Sequence, residues 1–338
     1  MTKYVLRRIL YMILVFLIVS LLMYSIYNLI PTDPARAQLE PIKKSLKPAE
    51  YEARYAQLRE EMGLDAPLIV RYARWMGFVP NVNGKFDGLL EGNFGYSQFF
   101  KKDVAKVIPD PMKNTIFINI FSTIVALAIT IPLGIFCAVH KRGKFDSSVQ
   151  VLTIIGYSIP IYIIGLIFIW FFAVTLRWLQ VSGMETPGNT FTGMRAFWDR
   201  MLYMTLPVIV MTVGSLGGMT RYVRAAMIES LSMDYIRTAR AKGLREKVVI
   251  YSHAWRNALL PVITVIIGWF LSIFSGSLII ENMFGLNGMG QLYYKGLMNN
   301  DFELALAIQM FYIVISLIGQ LLTDLSYGLV DPRVRVDK

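Results

Sequence analysis

The first candidates for chemistry in this sequence are the basic residues of one stretch. Asp234–Pro261 reads "DYIRTARAKGLREKVVIYSHAWRNALLP" and contains Arg237, Arg240, Lys242, Arg245, Lys247 and Arg256. Arginine and lysine at this density bind phosphate groups or acidic protein surfaces. Long apolar runs lie on both sides of the stretch. The formal net charge of +11 is therefore interpreted as membrane topology rather than nucleic-acid binding.

The sequence lacks the common motifs of nucleotide-binding proteins, metalloproteases, thiol oxidoreductases and serine hydrolases. There is no GxxxxGK[ST], HExxH, CxxC or GxSxG, so this chain lacks the loop that cradles the phosphates of ATP. Its two histidines, His140 and His253, are too far apart in sequence for the usual metal-ligand spacing. The single cysteine, Cys137, lies in an apolar run and is expected to be a small buried side chain. We expect no catalytic residue, metal or cofactor site here.

The composition predicts an all-α polytopic membrane protein. Of the 338 residues, 55% are hydrophobic and 17% charged, against about 25% charged in soluble domains. The apolar residues form blocks near the roughly 20 residues that a bilayer crossing needs. Six spans are predicted: Ile9–Ile30, Thr115–Val139, Val151–Leu176, Leu202–Met219, Leu259–Ile280 and Leu304–Val330. Prolines inside the second, third and fourth spans are expected to be tolerated kinks.

Positive charge is distributed unequally between the two sets of short loops. One set holds Lys3, Arg7, Arg8, Lys141, Arg142, Lys144, Arg221, Arg224, Arg333, Arg335 and Lys338. The opposite set holds only Arg177, Arg195, Arg200 and Lys295. Because cytoplasmic loops carry the excess of lysine and arginine, both termini and the loop 221–258 are predicted to be cytoplasmic. The predicted localisation is the cell (plasma or inner) membrane.

The segment 31–113 is predicted to form a small extracytoplasmic subdomain. In "KPAEYEARYAQLREEMGLD", Pro48 suits a first helical turn and Gly63 a C-terminal cap. "VPNVNGKFDGLLEGNFGYS" is rich in glycine and asparagine, which predicts turns or a small hairpin. The predicted division is 1–30, 31–113, a core 114–330 of five transmembrane helices and a tail 331–338. A structural lid and a docking surface for an external partner are both open roles for 31–113.

The loop 221–258 is predicted to hold two helices. The first runs from about Met227 to Lys242 and ends because of Gly243. A second helix from Leu244 carries an apolar stripe, namely Leu244, Val248, Tyr251, Trp255 and Leu259. An amphipathic loop on anionic lipid and a protein-docking helix are both consistent with this pattern.

These residues resemble the cytoplasmic signature loop, or EAA loop, of ABC-importer permeases. RTARAKG with HAxRNALLP resembles the oligopeptide/dipeptide branch and its first ("B") membrane subunit. Further similar stretches are "YVLRRIL", "IPTDPA", "EMGLDAPLIVRYARW", "GNFGYS", "ENMFGLNGMGQLYYKGLMNNDFELALAIQM" and "LVDPRVR". Thr238 replaces the glutamate of the general pattern and Arg240 its second alanine, as is usual in the peptide branch. Residues 38–49 resemble nothing in the family.

The resemblance implies a permease subunit of an ATP-driven peptide importer and not an enzyme. It implies a homologous second permease, two cytoplasmic ATPase subunits that bind ATP and Mg²⁺, and an extracytoplasmic peptide-binding protein, all within membrane lipid. The residues implied to couple to the ATPase are Thr238, Ala239, Arg240, Ala241, Lys242, Gly243 and Leu244. The side chain of Ala239 is expected to lie in a groove of the ATPase.

Other functions stay open on the sequence. A stand-alone secondary transporter would need inverted repeats and paired midplane ionisable residues, and no repeat is evident. A non-transporting scaffold that binds lipid through its basic loop is a second alternative. Nickel chelates and related solutes are alternative substrates within the same family. The residues that line the translocation pathway are not indicated.

The predicted topology can be tested with cysteine labels in a Cys137→Ser background. Cysteine at Gln57 or Asn83 should react with a membrane-impermeant thiol reagent in intact cells without an outer-membrane barrier. The reason is that a segment of this length translocates largely regardless of its charge. Labelling is measured before and after lysis. Labelling only after lysis would place the segment in the cytoplasm.

Overall fold

The computed structural model describes residues 2–30 and 33–330. The predicted tail 331–338, with Arg333, Arg335 and Lys338, lies outside the described residues, as do Pro31 and Thr32. The contacts between residues divide the chain into two compact units. The first contains residues 1–112 and 289–317, and the second contains residues 113–288 and 318–338. The domain boundaries at 31, 114 and 331 remain sequence-based predictions.

The described residues are mainly helical, which confirms the predicted fold class. The first half contains α1 Thr2–Leu29, α2 Pro34–Leu39, α3 Pro48–Glu61, α4 Leu68–Met76, strands β1 Tyr96–Ser97 and β2 Lys102–Asp103, α5 Val104–Val107 and α6 Pro109–Val139. The second half contains α7 Lys144–Ser158, α8 Ile161–Phe168, α9 Gly193–Leu231, α10 Asp234–Ala241, α11 Glu246–Val248, α12 Arg256–Ser272, α13 Leu278–Met283, α14 Met289–Met298 and α15 Phe302–Val330. Short 3₁₀ helices span Glu40–Ser45 and Leu89–Glu91, and π-helical stretches span Ile169–Thr175 and Val249–Trp255.

Within the described residues, five helices are long and apolar enough to cross a membrane. They are Val5–Leu29, Pro109–Val139, Gly193–Leu231, Glu246–Ser272 and Phe302–Leu325. A sixth span is possible if α7 and the helix Ile161–Thr175 count as one, although they meet at 99°. These segments agree with the predicted number of spans but not with all of their boundaries.

The third predicted span is not a single kinked helix. Ile159 is extended, with φ −83° and ψ 125°, since a residue before proline is disfavoured in the α conformation. Pro160 then precedes the first turn of α8, and Ile163 N–H donates to its carbonyl at 2.9 Å. The prediction of a tolerated kink was therefore wrong at Pro160. At Pro132 and Pro207 the helix does continue.

Two other predicted spans have different limits in the structure. The fourth, predicted as the short segment 202–219, is part of the 39-residue α9. The fifth ends at Ser272 rather than at Ile280, and α13 is a separate short helix. The buried Asn119 of α6 donates to the carbonyls of Ile273 at 2.8 Å and Ser275 at 3.0 Å. This amide pairs carbonyls that a helix end leaves without partners.

The unit of residues 1–112 and 289–317 contains residues 31–112, nearly all of the segment predicted to face outward. Pro48 is the first residue of α3 and Gly63 follows its end at φ +63°, as predicted. The stretch 79–97 forms turns and a short 3₁₀ helix, and a hairpin of β1 and β2, paired antiparallel, begins only at its last two residues. Ser97 Oγ donates to the buried Asp301, and Tyr96 N–H donates to Glu303 Oε2 at 2.6 Å. The hairpin is therefore fixed to the first turn of α15.

The unit of residues 113–288 and 318–338 contains a charge pair that joins α7 to α9. Arg224 Nε lies 2.6 Å from Asp146 Oδ1, and Arg224 Nη2 lies 2.7 Å from Asp146 Oδ2. The side chain of Asp146 is 2% exposed and that of Arg224 is 22% exposed. Arg142 N–H also donates to Asp146 at 2.9 Å. The carboxylate thus fixes the turn before α7 and the end of α9 that leads to the basic loop.

Asp146→Asn should destabilise the protein measurably. Removing one partner of a buried ion pair costs about 3–5 kcal/mol, and the partial exposure of Arg224 places this pair at the lower end of that range. Thermal unfolding in detergent measures the effect. Asp103→Asn is the matched control, because its pair with Lys106 is also 2.6 Å long but largely exposed. It should change stability by less than about 1 kcal/mol. Equal effects of the two variants would contradict the structural role of Asp146.

Candidate functional site

The basic loop begins with a break that the sequence did not predict. The helix expected over Met227–Lys242 is two helices, since α9 ends at Leu231 and α10 begins at Asp234. Ser232 Oγ donates to the carbonyl of Glu229 at 2.7 Å. The next residue, Met233, is extended, with φ −77° and ψ 153°. The candidate site is therefore a separate two-turn helix rather than the end of a long one.

One face of α10 packs onto its own chain. Ile236 is 0% exposed and Ala239 is 5% exposed, and residues three apart share a helix face. Both belong to a buried apolar cluster that also contains Met227 of α9 and Val249 and Ala254 of the π-helical stretch. Apolar burial thus fixes α10 against the end of α9 and the start of the following helix.

Gly243 ends α10 as predicted, in the left-handed conformation at φ +72°. Gly243 N–H donates to the carbonyl of Arg240 at 2.9 Å, and Leu244 N–H donates to the carbonyl of Ala239 at 3.3 Å. These two bonds form a Schellman motif, which uses a glycine because it adopts positive φ without Cβ strain. No atom lies within 4 Å of the position that a Cβ would occupy. Glycine is therefore required here for the backbone conformation and not for space.

An ion pair spans this turn. Arg240 Nη2 lies 2.7 Å from Glu246 Oε1, and both side chains are about half exposed. The hydrogen bond to Glu246 raises the pKa of Arg240 above its ordinary value. Exposed pairs contribute about 0–1 kcal/mol to stability. The main effect of the pair is to orient Arg240 toward the start of the second helix.

A buried serine joins the three segments of the site. Ser230 Oγ donates to the carbonyl of Ala254 at 2.7 Å. Because a hydroxyl has a single proton to donate, Tyr235 O–H is the donor in its 2.8 Å contact with Ser230 Oγ. Ser230 therefore connects α9, α10 and the π-helical stretch. Sequence analysis missed this residue, since a serine near the end of an apolar helix is no signal of such a contact.

The second helix presents a different face from the one predicted. It starts at Glu246 rather than Leu244, and its residues Val249–Trp255 are π-helical. The buried side chains are Val249, Ala254, Ala258 and Val262. Of the predicted stripe, Leu244, Val248 and Tyr251 are exposed, while Trp255 and Leu259 are half-buried. The predicted stripe was based on the α-helical period of 3.6 residues per turn. The π-helical stretch has more residues per turn, so different side chains face the core.

The outward surface of the site consists of six of the seven predicted coupling residues. The exposed residues are Thr238, Arg240, Ala241, Lys242, Gly243 and Leu244. Ala239 is instead buried in the core of its own chain, so its side chain is not available to fill a groove of a partner. In the described part of the chain, no three histidine, cysteine, aspartate or glutamate residues are grouped so that they could hold a metal.

Comparison with known proteins identifies the class of this fold and loop. Residues 130–336 match the family model described as binding-protein-dependent transport system inner membrane component. Residues 1–119 match the model of the N-terminal part of such a membrane component. The chain therefore belongs to this family of transport permeases, and it is a multi-pass membrane protein.

The similarity to individual relatives extends over full lengths. The chain is 34% identical over 335 residues to the oligopeptide transport system permease protein AppB of Bacillus subtilis, with 99% of each chain covered. It is 31% identical over 355 residues to the dipeptide transport system permease protein DppB of Escherichia coli K12, with 100% of each covered. The chain is thus a permease subunit of an ABC transporter. Neither the stand-alone secondary transporter nor the lipid-binding scaffold is favoured.

Ala239→Trp should destabilise the isolated chain. Overpacking a filled core costs about 1–3 kcal/mol, and Ala239 is inside the cluster that holds α10. Ala241→Trp is the matched control, because Ala241 is exposed on the same helix. Unfolding midpoints of both variants, purified without any partner, measure the difference. If Ala239→Trp were as stable as Ala241→Trp, α10 would not be packed as described.

Proposed function

We propose that this chain is a permease subunit of a peptide importer, forms half of the translocation pathway with a homologous second permease, and couples through residues 238–244 to one of two cytoplasmic ATPase subunits. The similarity to oligopeptide and dipeptide transport permeases supports peptides as substrates. Nickel chelates and related solutes are the alternative substrates. Transport is driven by ATP and Mg²⁺ bound to the ATPase subunits.

The observation that carries the coupling proposal is the two-sided packing of α10. Its inner residues Ile236 and Ala239 are buried in the chain's own core. Its outer residues and the turn at Gly243 are exposed. A helix on anionic lipid would need an apolar face toward the membrane, whereas the apolar face of α10 is already occupied. An exposed polar tip on a firmly held helix suits a protein groove.

The contacts of α10 can transmit its displacement to the neighbouring helices. A displacement of α10 acts on α9 through Ile236 and on the π-helical stretch through Ser230, which accepts from Tyr235 and donates to Ala254. The pair of Arg224 with Asp146 extends the connection from α9 to α7. Because packed side chains transmit displacement with little compression, movement of an ATPase subunit would reach three membrane helices.

The charges of the loop suit docking on an acidic rim. Arg237 has an exposed guanidinium paired weakly with Asp234 at 3.4 Å, and Lys242 is exposed beside the turn. Rim charges of this kind accelerate and orient association more than they tighten it. In this proposal the docking occurs on the cytoplasmic side, and the segment 31–113 faces the peptide-binding protein on the other side of the cell membrane. Both termini are cytoplasmic in this proposal.

Crosslinking tests the proposed contact. Cysteine at Ala241, in a Cys137→Ser background, should crosslink to a co-expressed ATPase subunit through a short thiol-reactive spacer, since Ala241 is exposed beside the turn. Ala53→Cys is the matched control, because Ala53 is an equally exposed alanine on α3 in the outer segment. The product is measured by mass spectrometry of the assembled complex.

The control position should give no ATPase adduct. Crosslinks from residue 241 to lipid alone, in a complex that contains the ATPase, would reject the coupling role. Crosslinks from both positions to the ATPase would reject the topology.

A further inference from the structure

A cavity of about 530 Å³ lies within the unit of residues 1–112 and 289–317. Its walls are the end of α1, the segment from α3 to α4, the loop from Asn81 to Gly95 and the start of α15. The volume is in the range of sites that bind small molecules, about 300–1,000 Å³. The cavity lies in the part of the chain predicted to face outward.

Two arginines of α4 line this cavity and have no acidic partner. Among residues 2–30 and 33–330, the Arg74 side chain makes no hydrogen bond or ion pair, and that of Arg71 has the neutral partners Asn28 and Tyr24. They are three residues apart and so share one helix face. Two guanidinium groups arranged in this way suit a carboxylate, which accepts paired hydrogen bonds from arginine.

A third arginine in the wall is already occupied. Arg59 Nη1 lies 2.7 Å from Asp33 Oδ2 and Arg59 Nη2 lies 2.7 Å from Asp65 Oδ1. Burial acts to raise the pKa of Asp33, but hydrogen bonds from Tyr55 and from backbone N–H groups outweigh it and lower that pKa. Asp33 therefore stays ionised and retains Arg59. The cations left for a ligand are those of Arg71 and Arg74.

A glycine gives Arg74 its position. Gly63 has φ +63°, and a Cβ there would lie 2.8 Å from Arg74 Nη1. The guanidinium of Arg74 thus packs against Gly63, where any larger residue would place a Cβ too close to it. This glycine ends α3, so the turn that closes the helix also makes room for the charge.

The remaining lining combines aromatic, amide and acidic groups. The rings of Tyr24 and Trp75 are 5.3 Å apart and form an apolar wall together with Phe302. The lining also includes the side-chain amides of Asn28, Asn81, Asn83 and Asn93 and the carboxylates of Asp87 and Glu303. Amides can both donate to and accept from a peptide bond, and carboxylates can bind an ammonium group.

We propose that this cavity binds a short zwitterionic peptide, with its C-terminal carboxylate on Arg74 and Arg71. The choice of a peptide rests on the proposed function. A phospholipid phosphate would also suit the arginines, but four amides and the three further carboxylates of Glu61, Asp87 and Glu303 match a backbone with a free amino terminus better than a lipid headgroup. The cavity would hold peptide on the outer side before it enters the pathway.

The test uses the purified full chain in lipid nanodiscs and two probes, tri-alanine and tri-alanine amide. Arg74→Gln should weaken binding of tri-alanine about tenfold or more in calorimetric titration, because a charge-assisted contact with the carboxylate is lost. It should leave binding of the amide unchanged, since the amide lacks that carboxylate. Arg54→Gln is the matched control, because Arg54 is exposed on α3 and outside the cavity. Unfolding midpoints confirm that each variant is folded.

Three outcomes would overturn the inference. They are equal binding of tri-alanine to Arg74→Gln and wild type, equal weakening by Arg54→Gln, and a loss of co-purified phospholipid in Arg74→Gln with no binding of tri-alanine to either protein. Uptake of tri-alanine by cells that express the whole importer separates this inference from the proposed function. If cells take up tri-alanine and Arg74→Gln binds it normally, only the cavity assignment fails. If no peptide is taken up, the proposed function fails.

Discussion

Every backbone polar group of a membrane-spanning segment must find its partner within the protein, because the bilayer core contains no water. Most of this chain meets that requirement with long helices, and the informative places are where a helix stops. At Ser272 the freed carbonyls of the following turn are paired by the amide of Asn119. At Gly243 two backbone bonds close the end of α10. At Pro160 the missing N–H is placed where a new helix begins.

The same requirement explains why the basic loop is attached so firmly. Residues 232–248 leave the long helices and expose polar backbone, so α10 needs tertiary contacts to keep one position. Those contacts are apolar burial of Ile236 and Ala239 and the buried hydroxyl of Ser230. A two-turn helix would be marginal by itself in water. Its order therefore comes from α9 and the π-helical stretch, and the same contacts are the route by which it would move them.

Helix α3 and the hairpin are held by charged and polar side chains more than by apolar burial. No residue of α3 is fully buried, and the end of this helix is held by Arg59 between Asp33 and Asp65. The hairpin is held on α15 by Asp301 and Glu303. The cavity lies between this polar attachment and an apolar cluster that contains Tyr24 and Leu306. Arg71 and Arg74 face that cavity, and this combination suits a charged solute better than a lid with a purely structural role.

The sequence alone determined the class of the protein, the number of apolar segments, the first residue of α3 and the turn at Gly243. Each of these depends on composition or on a local backbone rule, such as the fixed φ of proline or the freedom of glycine at positive φ. The tertiary structure alone decided the break after Leu231, the bend at Pro160, the inward position of Ala239 and the pairing of Asp146 with Arg224. Pro132, Pro160 and Pro207 are alike in sequence, and only one of them ends a helix. Packing against neighbouring helices can re-satisfy the backbone groups that a proline frees, and such long-range packing is not recorded in any local sequence pattern.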